Sequence, residues 1–106
     1  MIYAALATVK ELQAKEYAEM IEDVLTERGQ RYGKFVNHAY ITQGMKLTMM
    51  QEEGWNRLAD DQKEALEMIV HKIARIINGD PNYVDSWVDI AGYAQLVADR
   101  LKGIER

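Results

Sequence analysis

Two cations and two carboxylates crowd one short stretch of this chain, HKIARIINGDPNYVDSWVDIAGY, residues 71–93. Lys72 and Arg75 stand among isoleucines; Asp85 and Asp89 lie one helical turn apart, with Gly92 following. At about 100° per residue, Lys72 and Arg75 share one flank of a helix beside its apolar stripe, and His71 lies one turn from Arg75. Asp85, Asp89, Gly92 and Leu96 share a narrow face of the next helix, where the glycine would admit a backbone or a ligand. Two readings follow. In one, Lys72 or Arg75 pairs with Asp85 or Asp89 across a helical hairpin; such a pair adds little net stability but is costly to break. In the other, the charges hold a ligand. Carboxylates at i and i+4 can share a divalent cation with further oxygen ligands, or the cations can grip phosphate while the carboxylates orient them or take ribose hydroxyls. The spacing leaves both open.

A second polar cluster lies upstream, in ERGQRYG, residues 27–33. Arg28 and Arg31 flank the turn-forming glycines, and arginine's planar fork suits phosphate. Tyr32 adds a face on which a base can stack, and the competing reading is a solvated loop anchored by that tyrosine. Asn37 and His38 follow at the start of the next helix. His38 and His71 have the chemistry of ligands or catalytic acids, although a lone histidine beside a helix is more often a surface or capping residue. Glu16, Glu19 and Glu22 repeat at threes, but they fan over about a third of the helix circumference and read as a solvated face. Met45, Met49, Met50 and Met68 suit core gaps or adaptable interfaces. No Gly-rich phosphate loop, HExxH or nucleophile elbow occurs.

The elements that must position these groups are helices. Thr8 and Glu11 have the spacing of a capping box, which predicts a first helix from there to about Glu27, followed by a loop or broken helix through Gly29 and Gly33. A second helix is expected over Phe35–Gln51, weakened at Gly44. Trp55 and Leu58 then anchor a turn in the core. Asp60 or Asp61 caps a third helix whose stripe is Leu66, Ile69, Ile73, Ile76 and Ile77, ended by Asn78-Gly79. Asp80-Pro81 opens a fourth, with proline at its first position, running to about Lys102. Its apolar arc passes through Trp87, Ile90, Tyr93, Ala94, Val97 and Leu101. The expectation is an all-α, compact four-helix domain spanning 1–106, assembled as a homo-oligomer to bury further apolar area.

Bulk properties narrow the function classes. A length of 106 residues suits one domain with a modest core, and the net charge of −4 argues against general nucleic-acid binding while leaving room for a local basic pocket. The absence of cysteine removes disulfides, thiolate nucleophiles and cysteine zinc sites, and fits a reducing interior. The uncharged opening MIYAALATV is far too short to span a membrane, so the expected place is the cytoplasm.

The combination R28-G-x-x-Y32-G33, H71-K-I-A-R75 and D85-S-W-x-D89-I-A-G-Y93 resembles a family of small phage and prophage helical proteins of unknown function, over about residues 24–98. The last two helices are also distantly similar to the MazG-type all-α nucleotide pyrophosphohydrolases, which hold magnesium with E-x-x-E and E-x-x-D motifs. In this chain Asp85 and Asp89 approximate only the second motif, and His71-Lys72 and Arg75 stand where the first would supply acids. Cations there would repel Mg2+ and attract phosphate. The resemblance therefore implies a phage-encoded binder of a nucleotide or cyclic nucleotide, acting in the cytoplasm of an infected bacterium and, by analogy with small phage sponge proteins, sequestering a host immune signal. Arg28, Arg31, His71, Lys72 and Arg75 would face phosphate, Asn37, Asp85 and Asp89 would add polar contacts, Tyr32 or Tyr93 would stack, and no cofactor is needed. The alternatives are a pyrophosphohydrolase using Asp85, Asp89 and Mg2+, and a non-catalytic structural or interaction protein.

Overall fold

The computed structural model describes the backbone of residues 2–106 and side chains from residue 8 onward. It is helical, with no strand among the described residues: α1 (Ile2–Tyr32), α2 (Phe35–Gln51), a 3-10 turn (Glu53–Arg57), α3 (Asp60–Asn78) and α4 (Val84–Leu101). No helix among the described residues is long and apolar enough to cross a membrane.

The sequence expectation for α1 fails at both ends. The helix already runs through Thr8, so Thr8 and Glu11 are interior residues, and it continues through the expected loop to Tyr32. One glycine inside a helix costs only about 1 kcal/mol, which a long helix absorbs at Gly29. The stop is Gly33, whose φ of 77° suits glycine and whose N–H donates to the Gly29 carbonyl at 2.9 Å. At α3, Ala59 occupies the N-cap and donates its N–H to Gln62 Oε1 (2.8 Å), leaving Asp60 and Asp61 in the first turn, where carboxylates favour the helix dipole. Pro81 is likewise not the first residue of α4. Asp80 Oδ1 accepts the Asn82 N–H (2.9 Å) in a turn, and Tyr83 is the N-cap.

α3 is the central helix, packed on α4 along one side and on α2 along another. Among the described residues the buried apolar ones are Ala65, Val70 and Ala74; of the expected stripe, Ile69, Ile73 and Ile76 are half-buried, while Leu66 and Ile77 are exposed. Small side chains at Ala65, Ala74 and Ser86, all buried, permit close helix approach. On α4 the inward face carries Ser86, Asp89, Ile90, Tyr93 and Val97; Trp87 and Leu101, expected inside, point outward. Trp55 and Leu58 are half-buried anchors of the turn.

α1 meets this unit only with its last turn. Asp80 N–H donates to the Arg31 carbonyl (2.7 Å), and the Asn78 side-chain amide donates to the carbonyls of both Tyr32 and Lys34 (2.9 Å each). Gly79 packs against the backbone of Arg31 and Tyr32 so closely that a Cβ would collide with both. From there α1 projects outward, and every residue from Thr8 to Gln30 is exposed. The molecule measures 66 × 30 × 28 Å with a radius of gyration of 20.2 Å, against about 13 Å for a globular chain of this length, so the expected compact bundle is replaced by an elongated shape.

Asn78→Ala removes two hydrogen bonds, one to the half-buried Tyr32 carbonyl and one to the exposed Lys34 carbonyl, and is expected to cost about 1–3 kcal/mol. Urea unfolding followed by circular dichroism would read it. Loss of α1 protection in limited proteolysis, with α2–α4 spared, is the expected companion result.

Candidate functional site

The junction of α1, α2 and α3 holds a cavity of about 470 Å3 lined by Leu25, Arg28, Gly29, Tyr32, Gly33, Lys34, Phe35, His38 and Arg75. The local chain path explains this set. The two-residue link Gly33-Lys34 turns α1 into α2, so the last turns of one helix and the first turn of the next form two walls. Arg75, on the last turns of α3, supplies the third; its guanidinium carbon lies 4.4 Å from the centroid of the Tyr32 ring. No carboxylate lines the cavity, and among the described residues no carboxylate lies within ion-pair distance of Arg28, Lys34 or Arg75. Arg75 is therefore a cation over a π face with its remaining donors uncommitted to acids.

Behind the cavity wall runs a polar relay. Lys46 Nζ lies 3.0 Å from His71 Nε2, and His71 Nδ1 lies 3.2 Å from Nε2 of the buried His38. Lys46 also approaches Glu67 at 3.9 Å. An ammonium can only donate, so His71 accepts at Nε2, carries its hydrogen on Nδ1 and donates it to His38. The neutral His38 is then left with its hydrogen on Nδ1, which has no protein partner among the described residues. Burial, ahead of the charges of His71, Arg75 and Lys46, holds His38 below the ordinary histidine range. Burial likewise lowers His71, followed by Lys46, Arg75 and Lys72, with Glu67 opposing them.

The other candidates from the sequence are dispersed. Arg31 lies over the Tyr83 ring, 4.2 Å from its centroid, and bonds the Tyr83 hydroxyl (3.1 Å) and Glu27 (3.3 Å). Tyr83 donates in turn to Asp85 Oδ2 at 2.7 Å, which raises the phenol above its usual range. Lys72 is paired with Asp89 at 3.0 Å between α3 and α4, as the structural reading of the opening stretch had it. Tyr93 lies on α4 with Asp89 and Gly92 around a separate groove, and Asn37 is exposed outside the cation cavity. His71 stands in the second layer, behind His38. Thus Arg28, Tyr32 and Arg75 converge on one cavity; Arg31, Asn37, Lys72, Asp85, Asp89 and Tyr93 do not. Lys34 and Phe35 went unnoticed in the sequence because a single lysine and phenylalanine beside a glycine carry no spacing signal. Among the described residues no group of three or more histidines and carboxylates is gathered to hold a metal ion.

A family model described as a domain of unknown function (DUF6378) matches residues 16–101, most of the chain and all of the cavity's lining. Comparison with curated proteins and with solved structures gives no match.

The Lys72–Asp89 pair is asymmetric: the lysine side chain is 11% exposed and the aspartate 46%. Lys72→Met leaves a carboxylate that water can reach, and is expected to cost no more than about 1 kcal/mol. Asp89→Leu strands a mostly buried ammonium and is expected to cost more, up to about 3–5 kcal/mol as an upper bound. Urea denaturation of both variants decides the order; a larger loss in Lys72→Met would refute the asymmetry.

The histidines give a second expectation. Their folded-state values lie below about 6.5, so the unfolded chain binds more protons as pH falls through that value. The stability they contribute is complete above pH ~6.5 and declines below it, until the lowered folded values are passed. Thermal midpoints measured from pH ~7.5 to ~5 should fall more steeply for the wild type than for the His38→Gln, His71→Gln double variant.

Proposed function

We propose that the chain, which belongs to the DUF6378 family, is a binder of a phosphorylated small molecule of the nucleotide or cyclic-nucleotide class. The observation that carries this reading is the cavity with Arg28, Lys34 and Arg75 on its walls and no carboxylate among them. Three cations near one another repel, and their arrangement is stabilised by an anion that enters between them. Phosphate fits best because arginine forks match its oxygens in two-point contacts. Tyr32 and Phe35 supply aromatic faces beside those cations, suited to stacking on a base. The volume of about 470 Å3 lies within the usual range of small-ligand sites, roughly 300–1,000 Å3.

His38 completes the reading. The Lys46–His71 relay leaves its Nδ1–H as the free end of a donor chain on a residue that lines the cavity, available to a phosphate oxygen. Asp85 and Asp89 take no part, since they are occupied by Tyr83 and Lys72. The favoured role is thus binding, with release of an intact ligand. A phage origin and the capture of a host signalling nucleotide in the cytoplasm are the biological setting in which such a binder is useful. The working unit in this reading is a homo-oligomer.

The test uses inorganic pyrophosphate, ATP and a cyclic dinucleotide, each with and without magnesium, against purified protein. At least one probe should raise the melting temperature and be recovered intact by chromatography after denaturation. Arg75→Met and Arg28→Met should each weaken its binding roughly 10–100-fold, from about 1.5–3 kcal/mol per charge-assisted contact, while Lys72→Met leaves it unchanged. Recovery of cleaved product would support the hydrolase instead, and no shift with any probe would defeat the binding reading.

A further inference from the structure

Twenty of the described residues are large hydrophobic side chains left exposed, and two groups of them form continuous helical faces. On α1, Tyr17, Ile21, Val24 and Leu25, with Ala14 and Ala18, fall within one arc of the helix when plotted at about 100° per residue. The opposite arc carries Glu16, Glu19, Glu22, Asp23 and Glu27. Over residues 14–25 the helix is amphipathic, and its apolar face is left exposed in the single chain. Helices in proteins draw most of their stability from packing such a face. On α2, His38 and Thr42 point inward and are buried, yet the outward face reads Val36, Tyr40, Gly44 and Leu47, with nothing within 4 Å of a Cβ at Gly44. A helix packed on one side that also shows apolar residues on the other has a further surface to bury.

We propose that the apolar face of α1 docks on the outer face of α2 in a second copy of the chain. The two faces match in length. Ala14 to Leu25 and Val36 to Leu47 each cover eleven residue steps, or about 16 Å of helix. They also match in polarity, both lacking charge on the contact side. Every copy carries one of each, so reciprocal docking closes on a two-fold axis and leaves neither face over.

The surface area has room for that occupant. The chain exposes 8334 Å2, against about 6,100 Å2 for a compact monomer of 12.2 kDa. The excess of about 2,200 Å2 per chain is more than the roughly 800 Å2 per partner that a standard interface buries. Leu25 and Phe35, exposed on the rim of the cation cavity, adjoin these faces, so the second copy forms an outer wall of that cavity. The docking rests on the apolar faces and stands whether or not the cavity binds phosphate.

The chain contains no cysteine, so introduced thiols report without background. Single variants Ile21→Cys or Val24→Cys are co-expressed with differently tagged Tyr40→Cys or Leu47→Cys, and mildly oxidised without added ligand. At least one α1–α2 combination should give a mixed disulfide between tags, while Glu22→Cys, on the acidic arc, gives none with either α2 position. Sedimentation equilibrium of the wild type should give twice the chain mass. Ile21→Glu should shift it towards the monomer. A wild-type monomer with α1 fully helical would overturn the proposal in favour of a foreign partner. A dimer linked only through α1–α1 or α2–α2 pairs would overturn the docking mode.

Discussion

The fork of Asn78 onto the carbonyls of Tyr32 and Lys34 governs the arrangement of everything around it. Helix C-termini leave carbonyls without partners, and here the ends of α1 and α3 meet head-on, so two sets of orphan groups would face each other. The amide of Asn78 donates to the Tyr32 carbonyl at the end of α1 and to the Lys34 carbonyl at the start of α2, and the Asp80 N–H takes the carbonyl of Arg31. Gly79 makes the approach possible because no side chain stands between the backbones, and Gly33 supplies the left-handed turn that redirects the chain into α2. Remove this junction and Arg28 and Tyr32 lose their position relative to Arg75.

The junction also decides which cations are free. Arg31 and Arg75 each stack on a tyrosine, and Tyr32 and Tyr83 meet edge to face with ring centroids 6.1 Å apart. The array has one acid-linked end, where Arg31 bonds Glu27 and Tyr83 bonds Asp85, and one acid-free end at Arg75. Lys72, three residues before Arg75 on the same helix, turns to α4 and is neutralised by Asp89. The asymmetry is geometric: residues three apart differ by about 60° around a helix, enough to place one between α3 and α4 and the other at the cavity. The two readings of the opening stretch thus divide between its cations. Lys72 ties the fold, and Arg75 is left to meet a ligand.

Periodicity made most of the helices legible. The bounds of α2 and the end of α3 at Asn78-Gly79 follow from turn residues and a sustained helical pattern. The failures share a cause, which is that local signals compete with tertiary ones. Thr8 and Glu11 have capping-box spacing, yet no part of that motif says whether the chain before it is already helical. Gly29 and Gly33 look alike in sequence, and only Gly33 meets a neighbour that demands a positive φ. The apolar arcs of α3 and α4 were drawn for helices with one buried side, whereas α3 is packed on two. For the site, Arg28, Tyr32 and Arg75 were readable as residue types suited to phosphate and base. That they converge, and that Lys34, Phe35 and His38 join them, depends on a junction between residues more than forty positions apart.

The same competition explains why so much apolar surface could be missed in a sequence of ordinary composition. A hydrophobic content of 48% is what a globular domain needs to fill its own core. Among the described residues the buried apolar ones are two alanines and a valine, and the remaining apolar side chains are half-buried or exposed. Composition counts apolar residues but not which chain covers them. The long α1 and the outward side of α2 leave apolar surface exposed in the single chain, and Leu25 and Phe35, on the rim of the cation cavity, are part of it.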